Sequence, residues 1–112
     1  AVLDRPLEVA DANGIHLGFE CDLPGDLLRE LIDHSGRPAL GAYYDVGNAA
    51  ALGRDLMADV QALGPVLCGI HVKDRERNGG SVMLGQGVLW APDRAGRPAR
   101  SPSSWLSAGT IC

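Results

Sequence analysis

Two patterns of hydrophobic positions alternate along the first 90 residues. Short apolar runs that end in a polar or charged residue predict three strands, at residues 15–20, 39–45 and 66–72. Before the first strand and between the strands, apolar residues recur every three or four positions and predict helices, each followed by a helix-ending glycine: Gly14, Gly36 and Gly64. Strands that alternate with helices favour right-handed crossover connections and a parallel sheet. The fold class predicted from this pattern is therefore α/β.

The pattern changes near residue 91. The last 22 residues hold three prolines, four serines and three arginines, without apolar periodicity. Residues 1–90 carry 7 basic and 13 acidic groups, whereas residues 91–112 carry 3 and 1. We therefore predict one domain over residues 1–90 and an irregular or disordered tail over residues 91–112.

Composition and charge exclude several classes of protein. Hydrophobic residues make up 46% of the 112 residues and charged residues 21%, which is typical of a globular domain. The net charge of −4 gives no overall attraction to nucleic acid or to anionic membranes. The sequence contains no apolar run of membrane-spanning length and no signal peptide, so we expect a cytoplasmic protein without membrane or nucleic-acid partners.

The candidate chemistry lies at the ends of the predicted strands. Glu20, Asp45 and His71 each close one strand, and the carboxyl ends of parallel strands meet at one edge of a sheet, where ligands bind. Two carboxylates and an imidazole suit a divalent metal such as Mn²⁺, Co²⁺ or Zn²⁺. Spacing alone leaves an alternative open: the carboxylates cap the turns or helices that follow them, and His71 is a core histidine.

Three sequence motifs favour the metal site over this alternative. They are YDVGNAAALG at 44–53, GIHVKDR at 69–75 and LGQG at 84–87. In this order and spacing they resemble the xylose-isomerase-like TIM-barrel sugar phosphate isomerases and epimerases, most closely the L-ribulose-5-phosphate 3-epimerase and hexulose-6-phosphate isomerase branch. The resemblance covers residues 1 to about 88 and implies the C-terminal part of a barrel, with strands five to seven of a (β/α)₈ fold.

The resemblance also implies roles for individual residues. It makes Glu20, Asp45 and His71 the ligands of a divalent Mn, Co or Zn ion, and Glu20 one of two acid/base carboxylates. The substrate is then a ketose phosphate whose proton beside the carbonyl is exchanged through an enediolate. Residues implied to contact this substrate are Asn48 at a hydroxyl and Lys73, Arg75 and Arg77 at the phosphate. An Asn48 bonded to its own turn and solvated loop charges remain the alternatives for these positions.

One departure from the family pattern bears on activity. The second acid/base carboxylate of the family is a glutamate on the eighth strand, and no glutamate follows Glu76 here. A frameshift or truncation after residue 88 is our preferred explanation, and a divergent natural terminus is the second. We therefore expect impaired catalysis and self-association through open strand edges. A non-catalytic remnant or metal-binding module is the main alternative, ahead of a dehydratase or an endonuclease IV-like hydrolase.

Overall fold

A computed structural model describes residues 2–89, which form a parallel sheet with helices. The elements in chain order are α1 (Asp4–Asn13), β1 (Leu17–Phe19), α2 (Gly25–Ser35), β2 (Leu40–Asp45), α3 (Val46–Ala51), α4 (Leu56–Leu63), β3 (Leu67–His71), β4 (Asp74–Arg75) and β5 (Ser81–Val82). A 3₁₀ turn, Gly64–Val66, leads into β3. The α/β prediction is confirmed, although the strands are shorter than their apolar runs.

The sheet has the order β1-β2-β3, and both pairings are parallel. Phe19 of β1 pairs with Ala42 of β2, and the last residues of the two other strands, Asp45 and His71, pair with each other. The register between β2 and β3 shifts at Ala42/Tyr43. The carboxyl ends of all three strands consequently lie at one edge, with Asp45 and His71 side by side.

The main core lies between one face of this sheet and the helices α2 and α4. Its buried side chains are Leu28, Ile32, Ala42, Tyr44, Ala49 and Leu63. The apolar stripe of α2 consists of Leu27, Leu28, Leu31 and Ile32. Only two of these residues join the core, because Leu27 and Leu31 remain 48% and 46% exposed. A smaller cluster of Leu7, Ala10 and Ala39 fixes α1 beside the start of β2. The opposite sheet face carries the alternating residues of β2, among them Tyr43 and Asp45.

The start of α2 is held by a residue of another helix. The N-cap position is Pro24, and no side chain of that segment, Asp22 included, caps the helix. The Gly25 N–H donates instead to Asp59 Oδ1 of α4, 2.8 Å away. A Cβ at Gly25 would lie 2.6 Å from the Asp59 Cα, so this close approach of two helices requires glycine.

Two short elements were not predicted from the pattern: α3, which continues directly from β2, and the antiparallel pair β4–β5. The predicted irregular tail at 91–112 lies outside the described residues. Among residues 2–89, no helix combines the length and apolar character needed to cross a membrane.

Candidate metal centre

The three predicted ligands converge at the carboxyl edge of the sheet. Glu20, Asp45 and His71 each offer one ligand atom, and these atoms lie within 4.8 Å of one another. His71 Nδ1 is 3.1 Å from Glu20 Oε2 and 4.0 Å from Asp45 Oδ2. Each residue comes from a different strand end, so the predicted convergence is confirmed.

Asp45 is held in place by the helix that follows it. As the N-cap of α3, its Oδ1 accepts a hydrogen bond of 2.9 Å from the Asn48 N–H. The capping alternative is thus correct for one oxygen of Asp45. Capping fixes the carboxylate and directs its second oxygen, Oδ2, toward His71.

The second oxygen of Asp45 is buried and incompletely satisfied. The side chain is 3% exposed, and Oδ2 accepts no hydrogen bond from any described residue. Lys73 Nζ lies 2.8 Å away as an ion-pair partner, without the angles of a hydrogen bond. A buried carboxylate oxygen without a donor is costly, and a cation is the group that compensates it best.

This donor set fits a divalent transition metal. Ligand bonds to such an ion are about 2.0–2.2 Å, so two ligand atoms on one ion lie at most about 4.4 Å apart. Adjacent ligands of a tetrahedral ion lie closer together, about 3.4 Å apart, so the triad, with separations up to 4.8 Å, would have to close by up to about 1.4 Å to hold such an ion. Two carboxylate oxygens and one imidazole nitrogen leave coordination positions open.

Tyr43 is a neighbour of the triad that the sequence motifs did not indicate. Its ring centroid is 4.5 Å from that of His71, with the planes tilted by 58°. The ring covers two glycines: a Cβ at Gly69 would lie 2.3 Å from Tyr43 Cε2, and one at Gly18 2.9 Å from Cδ2. Period-two alternation from Asp45 back to Tyr43 is the sequence signal that places both on one face.

The four predicted substrate contacts separate into three groups. Asn48 and Arg75 bind each other, with Arg75 donating to Asn48 Oδ1 at 2.8 Å and to the Gly79 carbonyl at 2.9 Å, which fastens the β4–β5 pair to α3. Lys73 reaches Asp45. The Arg77 guanidinium lies beside Gly53 and forms no ion pair with the triad among residues 2–89.

Asp74 is a second buried carboxylate near this edge, and it has a different role. It is fully buried, and its oxygens accept four backbone N–H groups, from Arg75, Gly85, Gly87 and Leu89. Burial alone would raise the pKa of Asp74, but the four donors outweigh it and hold the pKa below the ordinary value of 3.8. Asp74 therefore organises the loop of residues 85–89 and has no oxygen left for a metal.

Neither a scan against models of protein families nor a search of curated proteins finds a match to this chain.

Proposed function

We propose that this chain binds a divalent cation, Mn²⁺, Co²⁺ or Zn²⁺, through Glu20, Asp45 and His71, and that the site belongs to a metal-dependent sugar phosphate isomerase or epimerase. The convergence of three ligand atoms within 4.8 Å, from three successive parallel strands, carries the proposal. The sequence motifs at 44–53 and 69–75 contain Asp45 and His71, which supports the resemblance to the isomerase and epimerase family. In this proposal, the three-stranded sheet is part of a (β/α)₈ barrel.

The exposure of the ligands divides their roles. The Glu20 side chain is 38% exposed and can reach a substrate, whereas Asp45 is 3% exposed and can only hold the ion. When bound, the ion would polarise the ketose carbonyl and stabilise the negative charge that develops as a proton leaves. Glu20 takes this proton from the carbon beside the carbonyl and returns it to an enediol carbon.

The set of acid/base groups limits the reaction. Transfer on both faces of a sugar requires two groups, and no glutamate follows Glu76. Loss of one member of an acid/base pair commonly costs about 10²–10⁴ in rate. We therefore expect metal binding with weak proton exchange. A metal-binding module without turnover is the second candidate, and the lack of a glutamate after Glu76 favours it.

One set of variants tests both candidates. Mn²⁺ is titrated into the full chain by calorimetry, and proton exchange from a ketose 5- or 6-phosphate is then followed in D₂O with Mn²⁺ present. Glu20→Gln, Asp45→Asn and His71→Gln should each weaken Mn²⁺ binding by at least about tenfold, because each removes a direct ligand. Glu30→Gln, which changes an exposed carboxylate of α2, is the matched control and should bind as the wild type does.

The exchange measurement separates the two candidates. Weak Mn²⁺-dependent exchange that disappears in Glu20→Gln supports the isomerase proposal. Metal binding without any exchange supports the module. Binding that none of the three ligand variants weakens would refute the site itself.

A further inference from the structure

Lys73 is placed where an incoming metal would act on it. Its Nζ lies 2.8 Å from Asp45 Oδ2, the same atom that lies 4.0 Å from His71 Nδ1. An ion bound to Oδ2 at about 2.1 Å would thus be within about 5 Å of the ammonium group. At this distance two positive charges beside a largely buried carboxylate repel each other strongly.

The backbone brings Lys73 to this position through Gly47, in the first turn of α3. A Cβ at Gly47 would lie 2.3 Å from the Lys73 carbonyl oxygen and 2.6 Å from its Cγ. Only glycine permits this approach. It places the Lys73 backbone and the first part of its side chain against the start of α3, the helix that Asp45 caps. Lys73 is the only lysine in the sequence.

We propose that Lys73 is a metal-displaced counterion: it compensates Asp45 in the metal-free protein, competes with the divalent cation for Oδ2 and is released when the cation binds. The proposal rests on the metal site of the proposed function and goes beyond it, because it assigns Lys73 to the control of metal affinity. A buried carboxylate without a cation is costly, so one of the two cations must be present. Lys73 acts on the metal through Asp45 and is a positioning residue.

Metal affinity gives the first test. Lys73→Met keeps the aliphatic stem and removes the charge, and it should tighten Mn²⁺ binding by at least about tenfold in calorimetry on the full chain. Lys73→Arg keeps a positive charge and should give no such gain. Arg77→Met removes a positive charge from the same segment, outside the ion pair, and should change the affinity by less than about twofold.

Chemical labelling of the unmodified chain gives a second test, which does not depend on how the variants fold. Acylation of the single lysine amine is followed by peptide mass spectrometry, which separates it from the α-amine of the terminus. Mn²⁺ should accelerate Lys73 acylation severalfold in the wild type, because the amine leaves its ion pair. The acceleration should disappear in Glu20→Gln, which lacks a metal ligand but keeps Asp45.

The outcomes separate this inference from the proposed function. If the wild type binds Mn²⁺ and the ligand variants do not, but Lys73→Met leaves the affinity unchanged or weaker, the metal site stands and the competition is refuted. Lys73 acylation that Mn²⁺ leaves unchanged or slows would also refute it. If neither the wild type nor Lys73→Met binds Mn²⁺, both proposals fall.

Discussion

At the scale of single residues, two buried aspartates near one sheet edge show how hydrogen bonding determines their roles. Asp74 has both oxygens filled by backbone N–H groups, whereas Asp45 has one oxygen filled and Oδ2 left for a cation. Asp45 ends the predicted strand at 39–45 and Asp74 lies two residues beyond the one at 66–72, so pattern alone does not distinguish their roles. The difference arises from the loop at 85–89, whose N–H groups turn toward Asp74 and not toward Asp45.

Replacing Asp74 with asparagine tests its role in fixing this loop. The Asn amide places a donor against backbone N–H groups that need an acceptor, so Asp74→Asn should lower the free energy of unfolding by about 2–4 kcal/mol. The folded-state pKa of Asp74 is depressed, so its ionised form stabilises the fold above the unfolded-state value of about 3.9, and this stabilisation is lost as the pH falls through the folded-state pKa.

Urea unfolding of the wild type and Asp74→Asn should therefore show a difference that is constant near neutral pH and shrinks below about pH 4. Glu76→Gln, an exposed carboxylate in the same segment, serves as the control. A difference that grows on acidification would contradict the sign of this assignment.

At the scale of elements, a buried hydrogen-bonded chain joins β2, α4 and α2. The Tyr44 hydroxyl donates to Asp59 Oδ2 at 2.8 Å, and Asp59 Oδ1 accepts from the Gly25 N–H that begins α2. Burial, followed by the hydrogen bond to Asp59, raises the pKa of Tyr44 far above its ordinary value of 10.0. The hydroxyl thus stays protonated and continues to donate at any ordinary pH.

Removal of this hydroxyl tests the connection. Tyr44→Phe leaves a buried Asp59 oxygen without its donor and should cost about 1–3 kcal/mol of unfolding free energy, measured by urea titration. Tyr43→Phe is the matched control, because it removes the hydroxyl of the neighbouring tyrosine on the opposite sheet face, and it should cost less than about 0.5 kcal/mol. Equal losses in the two variants would show that Asp59 does not depend on Tyr44.

These elements also show what the sequence can predict. The strands, α2, α4 and the convergence of the three strand-end residues follow from local periodicity, because a parallel sheet brings strand ends together whatever the details of its loops. The role of these residues as metal ligands is what the family resemblance implies. The cap of α2 cannot be predicted from local periodicity, since Asp59 lies 34 residues from Gly25 along the chain. Likewise α3 was missed, because the run of small residues after Asp45 is too short to show a helical period.

At the scale of the whole molecule, the three-stranded sheet of residues 2–89 has two outer edges, on β1 and β3, that pair with no other described strand. Large apolar side chains lie exposed beside them: Ile15 is 53%, Ile70 43% and Val72 61% exposed. Unpaired edges with exposed apolar residues promote strand addition between molecules. The predicted self-association therefore follows from the same open sheet that presents the metal ligands.

Light scattering coupled to size-exclusion chromatography, over a wide range of protein concentrations, should show an average mass that rises with concentration. Ile70→Lys places a charge on the β3 edge and should lower that mass, because a lysine on an edge strand disfavours addition of another strand. Met57→Lys is the matched control, since Met57 is 66% exposed on α4, away from both edges, and its replacement should leave the association unchanged. Circular dichroism establishes that both variants retain the fold.

A wild-type chain that stays monomeric at every concentration and melts cooperatively would contradict association through the edges. An equal effect of both substitutions would place the contact elsewhere on the surface.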